Sequence, residues 1–256
     1  MTSPLQIHDH DGGVRLLVLD RPRANAFDRA LMEALSAAIH EAAAEPAVRA
    51  LVLAGAGEIF SAGLDFKALM VAQMAGETAA FGEAMERAFL DLWTCPLPTV
   101  AAVHGHAIAA GYLVAIACDV RLVTAGAARY GLNELVWGAG FPTVAIELAR
   151  SVLGERSAAL ILGGELFDAA EGQRNGSFHQ LLDDRDALLA AAITRARALG
   201  ERPRAAYAHA KALLQAPFVE RARAETPATR ARMAAATASE ETLAALGRYL
   251  GGLRRG

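Results

Sequence analysis

The 256-residue chain has few lysines, because 23 of its 25 basic residues are arginine. The two lysines are Lys67 and Lys211, and the arginines are spread along the chain without forming a basic block. The net charge is −3 and the pI is near 6.2. Proteins that bind nucleic acids carry a concentrated basic surface, so we expect no nucleic-acid partner.

Cysteine is also scarce, and the two that occur, Cys95 and Cys118, cannot form a disulfide framework. Their spacing does not match a metal site. Unpaired cysteines are typical of a reducing compartment. Residues 1–15 lack the basic start and the apolar run of a secretory signal. We therefore expect a cytoplasmic protein.

The chain has no long uninterrupted apolar run. The longest apolar stretch, residues 99–118, contains His104 and His106 and is followed by Asp119 and Arg121. A membrane-spanning helix needs about 20 predominantly apolar residues, so we expect no membrane span. Hydrophobic residues make up 54% of the chain and charged residues 21%, which is typical of a compact protein with a large buried core.

Strand and helix patterns alternate over the first 195 residues. This alternation predicts βαβ-type crossovers and an α/β core over residues 1–195. The predicted strands cover residues 14–19, 48–54, 99–103 and 120–123. The predicted helices are one that is capped by Asp28 and ended by Pro46, helical segments within 66–94, and a helix at 110–117.

Residues 196–256 form the second predicted region, which is helical. This region is rich in alanine and arginine and poor in β-branched residues, a composition typical of helices. The helices predicted from residue 187 onwards cover residues 187–199, 203–214, 217–236 and 239–253.

Residues 59–66 (Ile-Phe-Ser-Ala-Gly-Leu-Asp-Phe) are the first segment that could carry chemistry. The small residues at 61–63 would let a ligand approach the main-chain amides closely. The alternative is an ordinary loop that leads into a helix capped by Asp65.

A second segment, residues 103–113, passes from a strand through small residues into a helix. Unpaired amides at a helix start attract negative charge, including charge that develops on a carbonyl oxygen, so this segment would suit an enolate. The alternative is close packing of strand against helix, which also requires small residues.

The third segment, residues 129–138, places Glu134 in a mostly apolar sequence. If it is buried, Glu134 would have a raised pKa and could carry a proton near neutral pH, whereas a surface glutamate is the alternative.

His104 and His106 lack a third ligand nearby in the sequence, so we predict no metal site. Residues 55–57 (Gly-Ala-Gly) lack the remaining glycine of a dinucleotide-binding motif, so the sequence does not favour binding of a dinucleotide.

The order and spacing of these segments resemble the crotonase superfamily, also called the enoyl-CoA hydratase/isomerase family. The matching segments are residues 21–22 and 25–27, then 60–65, 109–111, 118–119 and 130–134. The resemblance implies an α/β fold built as a crotonase-like spiral of ββα units, with a helical C-terminal trimerisation region. It also implies an acyl-CoA thioester as substrate and a homotrimer, or a hexamer made of two trimers.

The resemblance further implies roles for particular residues. The amides of Leu64 and Ala110 would form an oxyanion hole. The remaining residues of the implied site would bind the substrate: Arg23, Ala24, Ala62 and Phe66 would border coenzyme A, and Trp137 and Phe141 would shape the acyl pocket. No metal or redox cofactor is implied, because coenzyme A enters as part of the substrate.

Two positions bear on the reaction. Hydratases of this family typically use two glutamates, and here the first position holds Leu113 while the second holds Glu134. Moving a double bond requires one base, so the resemblance favours a Δ3,Δ2-enoyl-CoA isomerase with Glu134 as the catalytic residue. The alternatives are an enoyl-CoA hydratase or another crotonase-type reaction, and a non-catalytic relative that binds acyl-CoA or RNA.

Overall fold

The computed structural model describes residues 3–22 and 24–253 of the chain. Eight strands occur in the described residues: β1 (Leu5–His10), β2 (Val14–Leu19), β3 (Ala50–Gly55), β4 (Thr99–Val103), β5 (Ala107–Ile108), β6 (Val120–Thr124), β7 (Tyr130–Gly131) and β8 (Gln180–Leu182). Six of them form one sheet in the order β1-β2-β3-β4-β6-β8, in which β1 runs antiparallel to β2 and the other neighbours are parallel. A second, smaller sheet pairs β5 with β7 in parallel.

Eleven α-helices lie in the same described ranges: α1 (Arg29–Ala44), α2 (Phe66–Met74), α3 (Thr78–Trp93), α4 (Ala110–Ile116), α5 (Thr143–Leu153), α6 (Arg156–Gly163), α7 (Ala169–Arg174), α8 (Arg185–Gly200), α9 (Arg204–Arg223), α10 (Pro227–Thr237) and α11 (Glu240–Leu253). One 3-10 helix spans Glu134–Trp137. Across residues 3–22 and 24–253, we find no helix that is both long and apolar enough to cross a membrane.

A repeated unit positions the loops of the molecule. After β4 and after β6, the chain first forms a short strand of the small sheet and then turns into a helix. Isolated bridges join Phe27 to Leu64 and Ser61 to Ala107, and they extend this pattern to the segments that follow β2 and β3. Strand, short strand and helix therefore repeat as ββα units, so the predicted α/β class and ββα arrangement are confirmed.

The large sheet is buried on both faces. Because successive side chains of a strand point to opposite faces, Leu17 of β2 joins the core beneath α1 and α3, while Leu16 joins the core beneath α8. Parallel sheets covered on both faces have continuously apolar strands, which explains why apolar runs in the sequence predict these strands. Helix α8 covers the second face with Leu188 and Ala192, so a division of the chain at residue 195 falls inside this helix.

The start of α1 agrees with the sequence prediction. The Asp28 side chain accepts a hydrogen bond from the amide of Leu31 at 2.9 Å, and the helix ends at Ala44, two residues before Pro46. An aspartate in this position satisfies one of the amides that a helix start leaves unpaired.

The sequence patterns do not predict strand β1. Only Leu5 of its six residues is fully buried, and the others carry polar or half-exposed side chains. This strand is held by its antiparallel pairing with β2, from Leu5 opposite Leu19 to His10 opposite Val14. An edge strand of this kind has little apolar periodicity for a sequence pattern to detect.

The predicted break before Pro217 is wrong. Helix α9 continues from Arg204 to Arg223 through Pro217, and the next helix starts only at Pro227, capped by Thr226. The apolar residues Val219 and Ala222 of the last turns of α9 are buried in the main core. Their burial holds the helix together across a residue that lacks an amide donor.

We expect replacement of Pro217 by alanine to stabilise the protein. Proline in a helix interior costs roughly 3 kcal/mol relative to alanine, and Pro217 is exposed, so the smaller side chain loses no core contact. A gain of about 1 kcal/mol would raise the thermal midpoint by roughly 2 to 4 °C. Pro227→Ala is the matched control, because Pro227 occupies the first turn of α10, where proline is favourable. Equal effects of the two substitutions would contradict this interpretation.

Candidate active site

The first two segments singled out in the sequence lie side by side. The amide of Ser61 donates to the carbonyl of His106 at 3.0 Å, and the amide of Ile108 donates to the carbonyl of Ser61 at 3.1 Å. The Ser61 hydroxyl donates in turn to the carbonyl of Asn25 at 2.8 Å and is fully buried. Backbone hydrogen bonds therefore join the loop after β3 to the loop after β4.

Glycine is required where these loops touch. A Cβ atom on Gly63, whose φ is +96°, would lie 2.9 Å from the carbonyl oxygen of Ile108 and 3.4 Å from the amide nitrogen of Ala110. A Cβ atom on Gly111 would lie 2.4 Å from the carbonyl oxygen of Ser61. The small residues of both segments therefore allow two main chains to approach each other closely.

The amide of Leu64 is free to face a ligand. The bridge between Phe27 and Leu64 uses the amide of Phe27, which donates to Gly63 at 2.7 Å, and the amide of Asp65, which donates to Phe27 at 2.9 Å. The Leu64 amide, which lies between these two bonds, is not used by the bridge. Within the described residues it donates to no main-chain acceptor.

The amide of Ala110 is the second available donor. Ala110 is the first residue of α4, where the helical pattern leaves amides without an intrahelical acceptor. Because a Cβ atom on Gly63 would lie 3.4 Å from this nitrogen and Leu64 follows Gly63, the two amides belong to main-chain segments that lie against each other. Two adjacent main-chain donors can stabilise a negatively charged oxygen.

Ala109, which precedes this donor, has a strained backbone. Its φ of 52° and ψ of −124° lie where residues other than glycine rarely occur. Such strain costs on the order of 1 to 3 kcal/mol and persists only when surrounding contacts impose it. Here the Ala109 amide donates to the carbonyl of Gly131 at 2.9 Å, and its carbonyl accepts from Leu113 at 3.0 Å.

Glu134 is the first residue of the 3-10 helix and follows Gly131, which accepts from the Ala109 amide, by three residues. Its side chain is buried, with 8% of the residue exposed, and burial raises the pKa of Glu134 to about 8. No group in the described ranges donates a hydrogen bond to its buried Oε2 atom. A carboxyl group in this state can accept and return a proton near neutral pH.

Two aromatic rings link the Glu134 segment back to the first loop. The rings of Trp137 and Phe66 meet edge to face with their centroids 4.8 Å apart. Phe66 follows Leu64 by two residues, and Trp137 follows Glu134 by three. Contacts therefore join each of the three segments, residues 59–66, 103–113 and 129–138, to the other two. We call this arrangement the contact circuit, and it contains both free amides and the Glu134 carboxyl group.

Of the other residues predicted to bind substrate, Ala24 and Ala62 lie against each other at the first loop. The amide of Ala62 donates to the carbonyl of Ala24 at 3.0 Å, which holds these two residues together, and Ala62 is exposed. Phe141 is partly buried against the main core. The prediction for Arg23 lies outside the described residues.

Beside Ala24 lies an open cleft of about 360 Å³. Its lining comes from the loops after β2 and β3: Asp20, Arg21, Pro22, Ala24, Asn25, Ala56, Gly57, Glu58 and Ile59. The Asn25 amide group donates to the carbonyls of Ala56, Ile59 and Phe60 at 2.8 to 3.2 Å, so this one side chain shapes the loop that follows β3. The sequence reasoning missed this role, for which a loop asparagine gives no local signal.

The two histidines considered as ligands are used in loop structure. His104 Nε2 lies 3.0 Å from the carbonyl oxygen of Gly57, and His106 Nδ1 accepts from the amide of Arg129 at 3.0 Å. In the described part of the chain, no group of three histidine, cysteine, aspartate or glutamate side chains is arranged to hold a metal ion.

Comparison with known proteins identifies the family. Residues 9–250 match the model of the enoyl-CoA hydratase/isomerase family. The chain belongs to this family. The crotonase resemblance of the sequence is therefore confirmed, and the protein is an acyl-CoA enzyme of the enoyl-CoA hydratase/isomerase family.

Individual family members share both sequence and structure with this chain. A protein of Mycolicibacterium paratuberculosis named "Probable enoyl-CoA hydratase" is 35% identical over 226 residues, which cover 87% of this chain and 85% of that protein. One protein of Mycobacterium tuberculosis is described for one structure as an enoyl-CoA isomerase and for another as a probable enoyl-CoA hydratase. The first of these structures is 26% identical, with a TM-score of 0.80, and the match covers 92% of this chain and 99% of that one. Human mitochondrial Δ3,Δ2-enoyl-CoA isomerase shares the fold, with a TM-score of 0.91 at 22% identity and coverage of 98% of both chains.

Because this chain belongs to an enzyme family, we expect Gly63→Ala to lower its turnover, whereas a matched substitution away from the site should not. The added methyl group would press on the Ile108 carbonyl beside the Ala110 amide, and loss of one oxyanion donor lowers turnover by roughly 100-fold or more. Gly76→Ala is the matched control, since Gly76 also has a positive φ, +74°, but has open space around its Cβ position. Both variants should lose some thermal stability, and equal turnover in the two would contradict the role given to this loop.

Proposed function

We propose that the protein is a Δ3,Δ2-enoyl-CoA isomerase with Glu134 as its single proton carrier. The observation that carries this proposal is the combination of the buried Glu134, whose pKa is raised to about 8, with Leu113 at the other position where family hydratases have a glutamate. Leu113 is itself buried in α4 and has no titratable group.

In the proposed reaction, the Glu134 carboxylate removes a proton from carbon 2 of a 3-enoyl thioester. The electron pair moves into the thioester, and the resulting dienolate oxygen accepts hydrogen bonds from the amides of Leu64 and Ala110. The protonated Glu134 then returns the proton at carbon 4, which moves the double bond to between carbons 2 and 3. One base that takes and returns the same proton completes the cycle, and the transfer needs no metal or redox cofactor.

The same proposal places the substrate across the loops. Coenzyme A would run along the rim formed by Ala24 and Ala62, near Arg23 and Phe66, and its acyl chain would pass Trp137 and Phe141. The pairing of Ala24 with Ala62 supports this placement.

An enoyl-CoA hydratase is the second candidate, because the name of the 35%-identical relative describes that activity. Addition of water requires one group to activate the water and a group to protonate carbon 2. In the contact circuit, the Oε2 atom of the buried Glu134 accepts no hydrogen bond from the described residues, whereas the Asp65 carboxylate is engaged by Arg21 and by the start of α2. This arrangement favours the isomerase.

The deciding experiment offers the purified protein a 3-enoyl-CoA and a 2-enoyl-CoA in parallel and follows the absorbance of the conjugated thioester. We expect the absorbance to rise with the 3-enoyl substrate and to change little with the 2-enoyl substrate. Rapid loss of the conjugated thioester without isomerisation would establish the hydratase instead. Binding without either reaction would indicate a non-catalytic relative.

The assignment of the base is tested with Glu134→Gln. This variant should bind the thioester nearly as well as the wild-type protein and turn it over at least about 100-fold more slowly, because general base catalysis contributes about that much. Since the deprotonated form is the base, wild-type kcat/KM should rise with pH and level off above about 8, and the variant should lack this rise. Glu147→Gln is a matched control for loss of a buried carboxylate outside the site, and turnover equal to wild type in Glu134→Gln would refute the role of Glu134.

We also propose that the protein is a cytoplasmic homotrimer or hexamer. Large apolar side chains exposed on the single chain support an assembly: Met70, Val71, Met74, Leu135, Val136, Leu162, Leu213, Leu214 and Leu243. The two cysteines are free and buried, which agrees with a reducing compartment. Sedimentation equilibrium should give three or six times the chain mass of 26.8 kDa, and a monomer would contradict the assembly.

A further inference from the structure

Arg21 joins two parts of the chain that are distant in sequence. Its Nε atom donates to Asp28 at 2.9 Å, one terminal nitrogen donates to Asp65 at 2.6 Å, and the other donates to the carbonyl of Ala26 at 3.0 Å. The three charged side chains are only 20 to 23% exposed. A planar guanidinium group can satisfy several fixed acceptors at once, which the single ammonium group of lysine cannot do in the same geometry.

Both aspartates begin a helix. Asp28 accepts from the amide of Leu31 at the start of α1, and Asp65 accepts from the amides of Lys67 and Ala68 at the start of α2. Burial alone would raise the pKa of Asp65, but the Ala68 amide and the Arg21 guanidinium together lower it, so Asp65 is held as a carboxylate. Arg21 therefore fixes the two helix starts relative to each other.

The Leu64 amide lies directly beside this connection. Asp65 follows Leu64, and the main chain on either side of the Leu64 amide is bonded to Phe27, which precedes Asp28. Arg21 and Phe27 thus tie the same two segments together, one through side chains and the other through the main chain. The Leu64 N–H shares a peptide plane with the Gly63 carbonyl, which accepts from the amide of Phe27, so movement of Asp65 away from Asp28 would pull on the bonds that fix the direction of this amide.

We propose that Arg21 is a positioning residue for the oxyanion hole. It acts through Asp65 on the direction of the Leu64 amide and does not touch the reacting atoms. This inference rests on the proposed function, because it assumes that the Leu64 amide stabilises an enolate. It predicts that loss of Arg21 weakens stabilisation of the enolate while binding of an unreactive thioester stays the same.

The test compares two probes of different chemistry on the full-length protein. Acetoacetyl-coenzyme A is a β-keto thioester that loses its carbon 2 proton readily, so its enolate can be followed by ultraviolet absorbance. Butyryl-coenzyme A is a saturated thioester that forms no appreciable enolate. We expect Arg21→Met to weaken binding of the enolate roughly tenfold and to lower kcat by a similar factor, with the affinity for butyryl-coenzyme A and KM unchanged.

Asp65→Asn provides a second, independent variant. Asparagine is as good a helix cap as aspartate, so α2 keeps its start while the charged bond to Arg21 is lost. We expect the same loss of enolate binding as in Arg21→Met. The double variant should be no weaker than either single variant, because both remove one interaction. Arg29→Met is the matched control, since Arg29 forms ion pairs on the exposed surface of α1.

The outcomes separate the two hypotheses. If the wild-type protein does not stabilise the enolate, the proposed function fails and the inference fails with it. If the wild-type protein does so and both variants match it, only the role of Arg21 is overturned. A parallel loss of butyryl-coenzyme A binding would show that Arg21 contacts the ligand and would also overturn the positioning role. If Arg21→Met does not fold, Arg21→Lys and Asp65→Asn decide the question by the same two affinities.

Discussion

The candidate active site depends on hydrogen bonds between the main chains of successive loops. The loops that follow β2, β3, β4 and β6 are bonded in succession: Phe27 to the 63–65 segment, Ser61 to the 106–108 segment, and Ala109 to Gly131. Loops are usually the most variable part of a fold, because water can satisfy their polar groups. Here the loops satisfy one another, so the amides that remain free have fixed directions.

Electrostatics give the two sides of the site opposite properties. On the first loop, the Asp65 carboxylate is held in its charged form by Arg21 and by helix amides. On the third segment, the Glu134 carboxyl group is buried with little compensation, which favours its neutral form up to a pH of about 8. One acidic side chain therefore has a structural role and the other remains able to exchange a proton.

The parts of the molecule that local patterns determine were predictable from the sequence. The buried strands and the Asp28 cap follow from apolar periodicity and helix-capping chemistry. From the sequence, Glu134 is expected to carry a proton if it is buried. In the structure it is buried, and its pKa is raised. By contrast, the continuation of α9 through Pro217 depends on core contacts of Val219 and Ala222, which no local pattern reports. The contacts of Arg21 likewise join residues 44 positions apart.

The two proposed oxyanion donors, the amides of Leu64 and Ala110, belong to the main chain, and this affects how such a site can change during evolution. A mutation at Leu64 or Ala110 to another residue that keeps its amide leaves the donor in place. Gly63 and Gly111 are not among the proposed oxyanion donors, yet the main chain leaves no room at either residue for even a methyl group. The residues that we propose to contact the ligand through their amides can therefore change in sequence, whereas the neighbouring glycines, which only allow the main chains to approach closely, cannot.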